Sequence, residues 1–573
     1  MRYHRLQLLL ALASAAPQTT RAQDLPSIEI NLRPVFAGPD LAFLNTTLRI
    51  SDPSITAANQ TLLQFQLGQH LSPAQRYDDD GLVAADDDGD LPISYVDDPS
   101  ADRRQWTLGR TPVGDVTVRF AAQPRGEVSG IAGRSDLRSD QGGAVGQGYS
   151  FLPYPPGTQE WNTTVSWTLG DDAPDGTRFA SSLGDSETGS SSSSSSSATG
   201  RPDQLIHTTY FAAGQLQRWP AWTEEAGDPA TSDFAMYWIG DLPWDAPALA
   251  SSTETLYRGT ARYFSDAESD FRVFLRRDPS AFGGAGGYKS FLMEYAVGSE
   301  EESPAAATEN LISHEIVHGF ALTNPSSEFD KWYTEGVAEY LAAVGPFAGG
   351  TLDRATFVRW LNDNAQDYYT ASPLGRTWES LVTDYWTQGT SVVKAPYTRG
   401  FMYLAQVQGL IADATDNGKS LDDIITELER RYRAGQEVTT EQFLSLLGDI
   451  VGADVARDSF DAMANGTTIF PSPTGFGVHG LKMVRRDLEA FSLGMGEGSL
   501  GLGKVTNLTE GSRAAEAGLR EGDVIVSNWG VWGSTDTLNS TMRVVVERDG
   551  GDEVIEYWPR SRDTVEAWEW VDV

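Results

Sequence analysis

Asn310-Leu-Ile-Ser-His314-Glu315-Ile-Val-His318-Gly319 sets two histidines four residues apart, with a glutamate next to the first. On a helix such residues share a face, so His314 and His318 point their rings at one spot. Glu315, one step round, reaches a water held there. Two ring nitrogens, a base beside the water and a third ligand from elsewhere are the parts of a catalytic zinc site. A carboxylate for the third position follows in Trp332-Tyr-Thr-Glu335-Gly336-Val-Ala-Glu339-Tyr340. The chain has six histidines in 573 residues, so this spacing seldom arises by accident.

Working outward, 573 residues are too many for one core and imply several domains. Hydrophobic residues make up 40% and aromatic residues 10%, which suffices for sizeable cores. A formal net charge of -37 argues against nucleic acid and anionic membrane surfaces as partners. Without cysteine there is neither a disulfide nor a thiolate metal site. Arg2, His4 and Arg5 precede an apolar run and then small residues to Ala16, which reads as a signal peptide over 1–22. No later run is long enough for a membrane helix, and Trp568-Glu-Trp-Val-Asp-Val573 is no lipid-anchor tail. Six glycosylation sequons, at Asn45, Asn59, Asn162, Asn465, Asn507 and Asn539, fit a secreted, extracellular glycoprotein.

From 23 to 205 apolar residues alternate in short runs, such as Ser27–Phe36, Thr61–Leu67, Val116–Ala121 and Thr163–Leu169. That pattern predicts a β-sandwich-like domain. Its acidic stretch between Asp78 and Asp90 is a solvated loop or a calcium loop. The unbroken serines from Ser190 to Ser197 predict a disordered insertion near 185–200. Residues 206–474 open with strands at Phe234–Ile239 and Arg272–Arg276 and turn helical from Ser303-Pro304. The first helix carries the His pair and stops before Asn324-Pro325; the next starts near Thr334. Further helices are expected at 353–364, 398–413, 420–433, 439–450 and 454–463. Residues 475–573 form a last domain. There Gly503-Lys-Val through Gly511-Ser, Ala517-Gly-Leu and Gly522-Asp-Val-Ile525 look like a PDZ domain. Phe491-Ser-Leu-Gly-Met495 or Gly501-Leu-Gly503 would cradle a peptide C-terminus, unless the domain only packs on its neighbour.

These residues resemble the gluzincin zinc metallopeptidases, most nearly the PDZ-containing glycyl aminopeptidase family. The resemblance implies a multidomain α+β protein whose central part is a thermolysin-like, mostly helical catalytic domain. It implies one Zn2+ per chain on His314, His318 and Glu335, with Glu315 as the base. Glu339, one turn after Glu335, matches a carboxylate that orients a ligand histidine, or else faces solvent. Ala395-Pro-Tyr397-Thr-Arg399-Gly400 resembles the family's Pro-Tyr-x-Lys-Gly, whose tyrosine donates to the developing oxyanion. Relatives carry Gly-x-Met-Glu-Asn or Gly-Gly-Leu-Glu-His before the zinc helix, and that glutamate grips the substrate amine. Glu294, in Phe291-Leu-Met-Glu294-Tyr295, is the candidate here, although the glycine beside it is missing and Gly286-Gly287 stands apart. Phe320 stands where relatives have tryptophan. The expected activity is release of small N-terminal residues, Gly or Ala, from peptide or protein substrates. The alternatives are an endopeptidase of the same fold and a non-catalytic scaffold that binds peptides through the PDZ domain.

Overall fold

The computed structural model describes residues 25–52, 54–69, 72–125, 135–184, 193–222, 233–266, 270–278, 283–296, 305–320, 331–371, 373–385, 389–434, 436, 438–473, 475–548 and 550–573. The expected signal peptide, Ser303-Pro304 and Asn324-Pro325 lie outside the described residues.

The N-terminal region is β-rich because its apolar residues recur at every second position. β1 (Ser27–Ala37) buries Ile28, Ile30 and Leu32, and β2 (Asp40–Ser51) buries Leu44, Leu48 and Ile50. The two pair as a hairpin inside a seven-stranded sheet. β3 (Val116–Ala122) lies beside β2, and β4 (Trp161–Thr168) runs parallel to β1. Smaller sheets cover its inner face and close a core that includes Phe65, Trp106, Phe151, Trp161 and Phe211.

Three expectations change here. The serine run is ordered from Ser193 on, as β5 (Ser193–Gly200), which pairs antiparallel along the whole of β4. An edge strand asks for main-chain partners on one side only, and serine supplies those without packing a core. The hydroxyls of Ser197 and Thr164, 2.9 Å apart, join across the pair. The N-terminal β layers also continue past 205. β6 (Tyr210–Gly214) sits between Gly143–Gln147 and Arg178–Ser181 in a four-stranded sheet. In the acidic stretch, Asp86 takes two hydrogen bonds from Arg110, at 2.5 and 2.7 Å, and Asp78 pairs with Arg104 at 2.8 Å. Arginines neutralise these two carboxylates.

The central region is a five-stranded sheet with helices on one face. β7 (Leu216–Trp219) runs antiparallel to β8 (Phe234–Ile239). β8, β9 (Phe271–Asp278) and β11 (Ser290–Ala296) are parallel, and β10 (Gly283–Gly287) is an antiparallel edge strand on β11. Both faces are buried. Phe234, Met236, Val273, Leu275, Phe291 and Met293 meet the helices, while Tyr237, Phe274 and Leu292 meet Val145, Tyr210 and Ala212 of the N-terminal region. On the helical side lie α1 (Ala246–Tyr263), α2 (Ala305–His318), α3 (Lys331–Ala348), α4 (Arg354–Thr370), α5 (Gly389–Thr415), α6 (Leu421–Arg433), α7 (Thr440–Val451) and α8 (Ala453–Ala464). Helix α5 begins well before the expected 398 and runs through Pro396.

The C-terminal region does not separate at 475. β12 (Leu481–Phe491) pairs with β16 (Arg560–Asp572), and Leu481, Met483, Ala567 and Trp570 complete the helical core. Asn362 of α4 hydrogen-bonds both the carbonyl and the amide of Trp570. Packing, not chain order, therefore assigns these strands to the central region. A separate small core spans Met495 to Tyr557. It holds an antiparallel sheet of β13 (Val524–Trp529), β14 (Met542–Arg548) and β15 (Gly551–Tyr557), with α9 (Val531–Asp536) between the first two.

Candidate metal centre

Helices α2 and α3 bring His314, His318 and Glu335 together. The two Nε2 atoms are 3.1 Å apart, and each lies 3.4 Å from Glu335 Oε2. Among the described residues these three form the group that could hold a metal ion. Bonds near 2.05 Å at tetrahedral angles place ligand atoms about 3.3 Å apart, so the spacing fits zinc. The tautomer fits as well. His314 Nδ1 is 3.0 Å from Glu339 Oε1, so its proton belongs on that nitrogen and the lone pair of Nε2 faces the shared point. Burial alone would raise the Glu335 carboxyl, but the two imidazoles hold it well below the usual carboxylate range.

Glu339 is not a solvent-facing glutamate. Its second oxygen accepts from Asn364 Nδ2 of α4 at 3.0 Å. Asn364 had no signal in the sequence beyond its place on a helix. Glu315 is buried, and burial pushes its carboxyl above the ordinary value of 4.5. A base so raised accepts a proton more readily near neutral pH. Tyr397 stacks on His314 with ring centroids 5.6 Å apart. Burial, then the nearby Glu335, raises its hydroxyl well above 10.0, so it remains a donor. Arg399, the expected stand-in for the family's lysine, is buried and donates to the carbonyls of Pro373 and Arg376.

Two glycines put Tyr397 there. A Cβ on Gly336 would lie 2.6 Å from the carbonyl carbon of Gly400, and one on Gly400 would overlap the carbonyl oxygen of Trp332. Helices α3 and α5 thus cross backbone to backbone, one residue beyond Glu335 and three beyond Tyr397.

The structure places Glu294, the expected amine-binding residue, in a buried cluster of charges. It is fully buried on β11, sharing a strand face with Leu292, which meets the N-terminal region. Arg276 holds it at 2.5 Å and Arg138 at 3.3 Å, with Asp136 and Asp278 joining the same arginines. The strand that adjoins the metal helix is β10, Gly283-Gly-Ala-Gly-Gly287. A Cβ on Gly284 would sit 2.8 Å from Glu315 Oε1, whereas one on Gly286 would meet only His318 Cβ, at 3.8 Å. Tyr210 Oη and Gln147 Nε2 of the N-terminal region donate to the carbonyls of Ala285 and Gly286 and hold the strand in place.

The remaining sequence-derived sites lie away from the centre. The asparagines of all six sequons are exposed. No helix of the described residues is long and apolar enough to cross a membrane.

Solved structures share this fold. An aminopeptidase N family protein from Idiomarina loihiensis matches with a TM-score of 0.63 at 14% identity, over 95% of this chain and 98% of that one. A glutamate-to-alanine mutant of an M1 zinc metallopeptidase from Deinococcus radiodurans matches with a TM-score of 0.50 at 16% identity, over 78% of this chain and 96% of that one. No family model and no curated protein matches the chain. The fold, mixed α and β with a β-rich N-terminal domain, is therefore that of M1 zinc metallopeptidases.

Proposed function

We propose that this chain is a zinc-dependent peptidase. The observation that carries the reading is the convergence of His314 Nε2, His318 Nε2 and Glu335 Oε2, with Glu315 beside them. One Zn2+ held there would polarise the peptide carbonyl and acidify a water. Glu315 is placed to serve as the base that would accept a water proton and return it to the leaving amine. Tyr397 donates to the oxygen on which negative charge develops. Glu339 fixes the ring of His314, and Asn364 fixes Glu339. The gluzincin-type, thermolysin-like assignment of the helical region rests on this residue set. The test is metal content together with hydrolysis of alanyl and glycyl amides, wild type against Glu315→Gln. Protein purified without zinc, or equal turnover in the variant, sinks the reading.

An aminopeptidase releasing Gly or Ala is the finer reading, supported by the family resemblance and by the name of the Idiomarina protein with the same fold. An endopeptidase is favoured by one observation: Glu294 is locked to Arg276 and Arg138, and Gly286 leaves open the space beside His318. Parallel assays of free-amine and N-acetylated peptides separate the two. Cleavage confined to the free-amine set selects the aminopeptidase.

Secretion and glycosylation extend the proposal. Recovery from the medium with a mature N-terminus near residue 22, and a mass loss on deglycosylation, are the results it requires. The expected PDZ-like reading of the small C-terminal unit is supported by its run of strands and a short helix after a Gly-Ser turn. Ser534 and Thr535 of α9 are fully buried, which favours packing over capture of a peptide C-terminus. Titration of the intact protein with C-terminal peptides would overturn this preference by showing saturable binding.

A further inference from the structure

Helix α9 is where the small C-terminal unit meets the helical core, and the contact contains a buried charge. Lys394 of α5, 4% exposed, lies 2.6 Å from Asp367 Oδ2 of α4, itself 2% exposed. The ammonium also donates to Thr535 Oγ1 of α9 at 2.6 Å, and that hydroxyl donates to Asp367 Oδ2 at 3.2 Å. A buried ion pair holds its geometry only when further hydrogen bonds satisfy it. Within this trio, Thr535 is the member that comes from the C-terminal unit.

The trio's place on the helices matters more than its energy. Lys394 precedes Tyr397 by three residues on α5, and Asp367 follows Asn364 by three on α4. Residues so spaced lie on one helical face. The pair therefore ties the turn that carries Tyr397 to the turn that carries Asn364. From Asn364 the contacts run to Glu339 and then to His314. Helix α9 is pinned in turn by Arg560, which donates to the carbonyls of Ser534 and Thr535 and to Thr370 Oγ1 of α4.

We propose that Thr535 is a positioning residue for the metal centre, so that the C-terminal unit completes the site from outside the catalytic region. The proposal rests on the zinc reading above. Its test uses the full-length protein with Thr535→Val, Thr535→Ser and, as an exposed control on the neighbouring strand β16, Arg562→Ala. Zinc affinity is measured by competition with a chelator, independently of turnover, and kcat and KM are measured on a peptide amide. Thr535→Val should weaken zinc binding by about three- to tenfold and lower kcat with KM unchanged, an effect milder than loss of a direct outer-shell partner. Thr535→Ser should restore both, and Arg562→Ala should alter neither. If the valine variant does not fold, Thr535→Ala is read in the same way. Zinc affinity and kcat at the wild-type level in Thr535→Val, or a serine variant as impaired as the valine one, overturns the proposal. Either result in a wild type that binds zinc leaves the peptidase reading standing.

Discussion

Glu339 Oε1 lies 3.0 Å from His314 Nδ1, on the side of the ring away from the nitrogen that faces His318. A carboxylate so close favours the tautomer that carries its proton on Nδ1. Glu339→Ala should weaken zinc binding about 10- to 100-fold, measured by chelator competition. Unchanged affinity would reduce Glu339 to a packing residue.

Glu315→Gln keeps the shape of the side chain and removes its basicity. The variant should retain zinc while turnover falls about a hundred- to ten-thousandfold. Because burial raises the Glu315 carboxyl, the wild-type acid limb should lie above pH 4.5. Below that limb the group is protonated and accepts nothing. A kcat/KM profile still flat at pH 4.5 would count against Glu315 as the base.

Tyr397→Phe deletes one donor and little volume. The expected loss is about a hundred- to thousandfold in kcat, with zinc content unchanged. A variant that lost zinc instead would place the tyrosine among the groups that hold the metal centre together.

Glu294→Gln is expected to act on stability. Breaking one partner of a buried ion cluster costs about 3–5 kcal/mol, read from urea unfolding. A higher KM for free-amine substrates at unaltered stability would return Glu294 to substrate binding.

Burial pushes Asp363 of α4 from 3.8 up to about 7, against the pull of Arg359 and Lys394. At low pH the carboxyl is protonated in both folded and unfolded chains, and it exerts no pH-dependent cost. As pH rises from 3.8 to 7 the unfolded chain loses its proton first, so stability falls; above 7 the full cost is present. Asp363→Asn should therefore stabilise the protein at pH 8, by on the order of 1–2 kcal/mol, and hardly at pH 4. Equal effects at both values would show that the charge is not the cause.

The metal centre was legible because its geometry is local. Helical spacing places His314, Glu315 and His318, and a second helix places Glu335 and Glu339 on successive turns. The burial of Glu294 is not legible in the sequence because β11 is covered on both faces. Phe291, Leu292 and Met293 are all apolar, so no alternation reveals which neighbours face the helices. The strand around Gly286 gives no sign of its place beside the metal helix, because a run of glycines offers no side-chain signal. Arg138, Arg276 and Asp136 come from separate segments, and only the tertiary fold shows that their charges meet. The serine strand was missed for a related reason: its partner, β4, and not its own composition, orders it.

The crossing of α3 and α5 at Gly336 and Gly400 works as a caliper. Main chain rests on main chain there, so the span from Glu335 to Tyr397 is gauged by two peptide backbones and by no intervening side chain. A single methyl group at either glycine would open its jaws.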